Sequence, residues 1–200
     1  MNKPTDPRAG YITIASRAFA SDGYAGTSLA ALAREAGVTK QALLHFFGTK
    51  EALYAAALDD LAARLMAQIA AAKDADPAKH LLRYFLTFQA DALRDPQDVS
   101  LVVRALLDSR ATARRWPLKP YLDKLADIAR RTPGARDAGQ DAVLAWLSQV
   151  IGMVQYLTIS TPAVAGMYGT DTAAATAHRA EDRLRRAIAD FTGVADGTGF

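Results

Sequence analysis

TSLAALAREAGVTKQALLHFFGTKEAL, residues 27–53, holds two short helical runs separated by one glycine and followed by a lysine-led third. In the first run Leu29, Leu32, Ala33 and Ala36 recur at helical spacing, which predicts a helix over 28–36 with Thr27 as its N-cap. Gly37 can take positive φ and so lets the chain turn sharply, with Val38 plugging the corner. Thr39 then caps a second helix, in which Leu43, Phe46 and Phe47 form the buried face and Lys40, Gln41, Ala42, Leu44 and His45 take the remaining surface. Two short helices joined this way have the layout of a helix-turn-helix DNA reader.

The second helix is the candidate recognition helix. A major groove accepts one α-helix, and the N-terminal part of that helix meets the base edges, so the short and polar side chains of residues 39–42 suit close approach. Gln41 is suited to adenine, and Lys40 to guanine or a phosphate. Lys50 opens the next helix just past Gly48 and Thr49, where its ammonium and the free backbone amides both favour a phosphate oxygen. The pattern is also that of a plain helical hairpin, in which His45 is structural and Lys40 and Lys50 are solvated.

Outward from this segment the chain reads as all-α. It has 200 residues, half of them apolar, enough for a three-helix N-terminal domain over 1–54 and a larger helical domain over 55–200. An opening helix over 9–22 turns Ile14, Ala15, Ala18 and Phe19 toward the helix-turn-helix core and ends at Gly23. A long amphipathic helix over 50–72 carries Leu58, Leu61, Leu65 and Ile69, and serves either as a mechanical link or as a passive spacer. Further helices are predicted over 78–93, 98–113, 118–131, 140–160 and 171–191, with Pro and Gly concentrated in the breaks between. HLLRYFLTFQADAL and VLAWLSQVIGMVQYLTI are apolar around most of their circumference and call for neighbours on several sides, while polar residues and breakers interrupt both as membrane spans. The last helix has a cleaner stripe through Ala177, Ala180, Leu184, Ala187, Ile188 and Phe191, opposite Glu181, Asp182, Arg185 and Arg186.

Charge says little about a polyanion partner. Residues 1–55 hold six Lys or Arg against four Asp or Glu, and the rest hold eighteen against seventeen, so a DNA contact here depends on local geometry. Catalysis finds no support. With no cysteine, thiol chemistry, cysteine zinc sites and disulfides are excluded, and His45, His80 and His178 fit no metal-ligand spacing. Asp59/Asp60 and Glu181/Asp182 diverge on helix faces, and the glycines at 197 and 199 lie in a tail, away from any strand-to-helix turn. No metal and no cofactor is expected. The cluster Arg114, Arg115 and Trp116 reads as a solvated loop or an anchor for Trp116, with an acidic partner as the other reading. The opening nine residues and the tail past 192 are expected to be mobile, and the N-terminus has no hydrophobic signal core, so the expected location is cytoplasmic, away from the membrane.

From residue 9 to 54 the chain resembles the N-terminal domain of the TetR family of transcriptional regulators, carried by Ile14, Phe19, Gly23, Tyr24, Thr27, Ala33, Ala36, Gly37, Val38, Leu43, Phe47, Lys50, Glu51 and Leu53. The resemblance implies that the helix after Gly37 enters the major groove, with base or backbone contact by Thr39, Lys40, Gln41, Ala42 and His45 and phosphate contact by Thr27, Ser28 and Lys50. Leu44 occupies a DNA-facing position where the family usually has tyrosine, so that hydroxyl contact is lost; Phe46 and Gly48 also depart from the usual residues.

The same resemblance assigns 143–159 and 177–191 to a four-helix homodimer interface, through Val143, Leu147, Val150, Val154 and Leu157 with Ala177, Ala180, Leu184, Ala187, Ile188 and Phe191. These helices could instead close the monomer core. A symmetric dimer favours a palindromic operator in double-stranded DNA. Tyr84, Phe85, Phe88, Trp146, Met153 and Tyr156, with Arg104 or Gln155 for polarity, are candidates to line an apolar cavity for a small-molecule effector, or else are ordinary core. The expected protein is a ligand-responsive repressor; an activator and a protein-binding adaptor without specific DNA recognition are the alternatives.

Overall fold

Short side chains that accept from the first free amides set the starts of four of the described helices. Asp6 accepts from the amide of Arg8 at 3.0 Å with Pro7 opening the helix, and Asp76 accepts from Ala78 at 2.8 Å with Pro77 in the same place. Thr39 and Thr49 accept from Ala42 and Ala52, each at 3.1 Å. The computed structural model describes residues 6–108 and 116–193, and every regular element among them is helical: α1 (Pro7–Gly26), α2 (Leu29–Glu35), α3 (Lys40–Phe47), α4 (Lys50–Ala71), α5 (Pro77–Arg94), α6 (Gln97–Leu107), α7 (Lys119–Ala129), α8 (Gln140–Tyr168) and α9 (Thr170–Thr192). The all-α class is as the sequence predicts. Arg114, Arg115, Gly197, Gly199, residues 1–5 and the tail past 193 lie outside the described residues, as does the stretch 109–113 expected to extend α6.

The chain forms two compact units whose limits differ from the expected boundary near 54: Met1–Arg64 with Gln97–Leu118, and Leu65–Pro96 with Lys119–Phe200. α4 runs through position 54 without a break, and α6 lies along α1 with Val99, Leu101, Val102 and Ala105 buried. In this first unit Arg64 ties α4 to α6 by pairing with Asp98 at 2.6 Å, while also bonding Asp60 one turn back. Gly23, at φ 70° and ψ 175°, breaks α1 where the sequence placed its end.

In the second unit α5 touches α7, α8 and α9, and α8 packs on α9 and α7. This central position explains the broad apolar surface of α5, where His80, Leu81, Leu82, Tyr84, Phe85, Phe88, Gln89 and Ala92 are all buried. Each fully buried Leu or Phe contributes about 1.5–3 kcal/mol. His80 satisfies its ring by bonding the carbonyl of Ile69 through Nε2 at 2.8 Å.

Two expectations for α8 need correction. The helix continues past 160 to Tyr168 with Pro162 inside it, although proline removes one amide and crowds the preceding turn. Around this site the hydroxyls of Thr158 and Thr161 donate to the carbonyls of Val154 and Leu157, at 2.8 and 2.7 Å, one turn back along the helix. Unbroken at 29 residues, α8 is long and apolar enough by length and composition to cross a membrane. Its face through Val143, Trp146, Leu147, Val150, Val154 and Leu157 is buried within the second unit, the position of a core helix.

The end of α9 is held by a backbone contact and by an aromatic stack. The amide of Gly134 donates to the carbonyl of Thr192 at 2.9 Å, and a Cβ on Gly134 would come within 2.6 Å of both the Gly193 nitrogen and the Phe191 oxygen. Phe191 stacks on Trp146 with centroids 4.4 Å apart, and the Trp146 indole donates to the Ala187 carbonyl at 3.1 Å. Gly134→Ala is therefore expected to cost about 1–3 kcal/mol of stability, the usual penalty of overpacking, measured by urea denaturation. An unchanged midpoint would show that this turn yields freely.

Candidate nucleic-acid interface

The turn between α2 and α3 depends on Gly37, whose φ of 68° lets its amide donate to Arg34 and the Val38 amide donate to Ala33, at 3.2 and 2.9 Å. That closure brings Leu32 and Ala33 of α2 into a core with Leu43 and Phe47 of α3, all four buried. Leu43 and Phe47 are four residues apart and share one face. Lys40, Gln41 and His45 are consequently exposed, as is the cap Thr39, while Ala42 and Leu44 are half-buried. Gly48, at φ 74°, ends the helix with its amide on the Leu44 carbonyl at 2.7 Å.

Phe46 departs from the expected buried face. One helical step from Phe47 turns it outward, leaving it 43% exposed with its ring edge-on to Tyr11 at 5.2 Å. Arg8 lies 5.2 Å above the ring of Phe47. The Thr27 cap is also corrected. Ser28 occupies the N-cap position of α2 without a side-chain cap bond, and Thr27 is buried with its hydroxyl donating to the Gly23 carbonyl at 2.7 Å. In this conformation Thr27 shapes the corner, and its side chain is not presented to a phosphate.

Lys50 stands at the start of α4, its ammonium 4.5 Å from the centroid of the Tyr24 ring. The same tyrosine donates its hydroxyl to the Glu51 carboxylate. Tyr24 is in turn stacked on Phe19 at 6.2 Å, and Phe19 meets Tyr54 edge-on at 4.8 Å, so the lysine and glutamate rest on an aromatic cluster. The Tyr24 hydrogen bond, chiefly, holds the Glu51 carboxyl below the usual carboxylate range, helped by its own backbone amide, the Thr49 hydroxyl and the nearby Lys50. Burial, and then the charge of Asp108, push the Tyr54 phenol up. Sequence reasoning picked out Lys50 but gave Tyr24 and Glu51 no role. Their signal was an aromatic residue directly after a helix-ending glycine, matched to an adjacent Lys-Glu pair.

The effector candidates divide. Tyr84, Phe85, Phe88 and Trp146 are buried in the second unit; Tyr84 stacks with Phe88 at 5.9 Å and donates its hydroxyl to that of Tyr121 at 2.8 Å. Burial pushes both phenols up. Met153 and Gln155 are half-buried. Tyr156 lines no cavity, being 72% exposed, and Arg104 belongs to the first unit, where it bonds the backbone of α1. Tyr121 was missed because its partner lies 37 residues away.

The interface candidates need a similar correction. Val143, Leu147, Val150, Val154 and Leu157 of α8, with Leu184 and Ile188 of α9, are buried inside the protomer, whereas Ala177, Ala180, Ala187 and Phe191 are half-buried. The buried faces of both helices are already occupied within the protomer. The open face of α8 carries Leu144, Tyr156, Ile159 and Met167 instead.

Because the Tyr24 hydrogen bond lowers the folded-state value of Glu51, the associated stability is present at neutral pH and lost as pH falls through that lowered value. Tyr24→Phe is expected to return Glu51 toward the ordinary carboxylate range, followed by carbon-detected NMR titration. An identical titration in both proteins would remove the phenol as the cause.

Residues 12–57 match the sequence pattern of the family described as Bacterial regulatory proteins, tetR family. No curated protein is significantly similar to the chain in sequence. Among solved structures, the fold is similar to the fatty acid degradation regulator FadR from Bacillus halodurans, at 16% identity and TM-score 0.65 over 92% of this chain and 96% of that one. It is likewise similar to a TetR-like transcriptional regulator from Rhodococcus sp. RHA1, at 18% identity and TM-score 0.62 over 94% and 96% of the two chains. At such identities the likeness carries the fold alone, and the family's sequence pattern is confined to 12–57, on the helices that expose α3. Over residues 12–57 the chain carries the N-terminal sequence pattern of the tetR family of bacterial regulatory proteins.

Proposed function

We propose that the protein is a ligand-responsive repressor that binds a palindromic operator as a homodimer in the cytoplasm, with residues 1–54 reading DNA and 55–200 serving effector binding and self-association. The observation that carries the reading is the exposed, Thr39-capped start of α3 above its buried Leu43 and Phe47. Gln41 and Lys40 read base edges there, His45 and the half-buried Ala42 and Leu44 contact groove wall or backbone, and Ser28 and Lys50 hold phosphates. Leu44 offers only apolar contact, for which a thymine methyl is the suited partner.

Two reading heads need a fixed separation of about one helical turn of DNA or a multiple of it, which self-association supplies. The surface we assign to the second copy is the stripe Leu144, Ser148, Gly152, Tyr156, Ile159, Ala163 and Met167, which recurs at three- and four-residue spacing along α8 opposite its buried face. Ala180 and Ala187 of α9 are small enough to admit a neighbouring helix at its edge. The effector is an apolar molecule with one hydrogen-bonding group, received near Tyr84, Phe88 and Tyr121, where a hydroxyl pair stands among stacked rings. Entry must part those rings, so the ligand favours a loosened conformation, and DNA affinity falls by population shift.

Gln41→Ala should relax base preference at one operator position by about 1–3 kcal/mol, whereas Lys50→Ala should weaken all duplexes alike and reduce the salt slope by about one. Equal losses on specific and scrambled DNA for both variants would remove α3 as the reader and favour an adaptor. Ile159→Glu, by placing a charge in the proposed α8 stripe, should yield monomers in sedimentation and weaken binding to a palindrome more than to its half-site. A dimer unchanged by Ile159→Glu would move the interface elsewhere.

A further inference from the structure

Gly23 kinks α1, its φ of 70° and ψ of 175° leaving helical geometry one turn before the helix ends at Gly26. Arg104 of α6 meets two carbonyls of the turn that precedes the kink. Its Nε donates to the Ala20 carbonyl at 2.7 Å and its Nη2 donates to that of Ser21, so a cation caps the longer segment of α1 at its kink. The guanidinium also reaches under the corner itself, because a Cβ on Gly23 would lie 3.5 Å from Nη1. On the far side of that corner the Gly23 carbonyl accepts both the amide and the hydroxyl of Thr27, and the next residue, Tyr24, carries Lys50 on its ring and bonds Glu51. α6 is itself anchored through the Arg64–Asp98 pair, so Arg104 is held from a fixed base.

We propose that Arg104 is a positioning residue for DNA binding: by clamping α1 at its kink it fixes the Gly23–Tyr24 corner, and through the Tyr24 ring it sets where the Lys50 ammonium meets a phosphate. Arginine suits the task because its planar fork can serve two successive carbonyls at once, which the single point charge of lysine cannot. The inference rests on the phosphate role assigned to Lys50.

The test uses the full-length protein and a duplex enriched by the wild type from random double-stranded DNA, with binding measured at several salt concentrations. Arg104→Met should lower affinity about tenfold and reduce the salt slope as Lys50→Ala does, and in a Lys50→Ala background it should change affinity less than about twofold. Arg104→Lys should fall between wild type and Arg104→Met. In the DNA-free protein, hydrogen exchange at the Thr27 amide should quicken about tenfold in Arg104→Met, as expected when a local opening becomes easier. Exchange is read without DNA, so it tests the clamp even if the wild type enriches no sequence, an outcome that would count against the DNA-reading assignment instead. Losses that add independently in the double variant, a lysine variant equal to wild type in affinity and exchange, or an unchanged Thr27 exchange rate would each overturn the proposal. If Arg104→Met does not fold, the Arg104→Lys comparison decides.

Discussion

The outward face of α3 depends on the packing of Leu43 and Phe47 behind the Gly37 turn. Burying those two rows fixes the rotation of α3 about its axis, and that rotation alone decides that Lys40, Gln41 and His45 face outward. With only eight residues α3 is too short to persist in isolation, so its order comes from this face, the Thr39 cap and the Gly48 stop. Exposure of polar side chains and stability of the helix therefore have one cause.

The aromatic cluster beside the turn joins structure to electrostatics. Phe19, Tyr24 and Tyr54 fill space between α1 and α4, and the same Tyr24 engages a cation through its ring face and a carboxylate through its hydroxyl. A lysine tail free to sample many rotamers would lose more entropy on meeting a phosphate than one already resting on a ring. In the second unit the comparable economy is in α5, whose aromatic residues contact several neighbours at once and leave the outer stripe of α8 uncovered.

Legibility followed sequence distance. Features written in a few adjacent residues were readable: the break at Gly23, the turn at Gly37, the Thr39 cap and the limits of α3 all rest on local rules for glycine and short polar side chains. Thr27 was misread because a threonine ahead of a helix satisfies the capping rule, whereas here its hydroxyl is used backward, on Gly23. Arg104 was unreadable for the opposite reason, since its acceptors lie 84 and 83 residues earlier. Pro162 looked like a helix end, yet α8 runs through it to Tyr168. An apolar helix with residues all round also conceals which face is inward. That is why Val143, Val150 and Val154 were expected at an interface that Leu144, Tyr156 and Ile159 are better placed to form.

The central claim is that the outward face of α3 reads base sequence. Enrichment of random double-stranded DNA by the full-length protein, followed by affinity measurement against scrambled duplex at fixed salt, tests it most directly. The account predicts a palindromic motif bound at least about a thousandfold more tightly than scrambled DNA. Binding of all duplexes alike, varying only with salt, would contradict it.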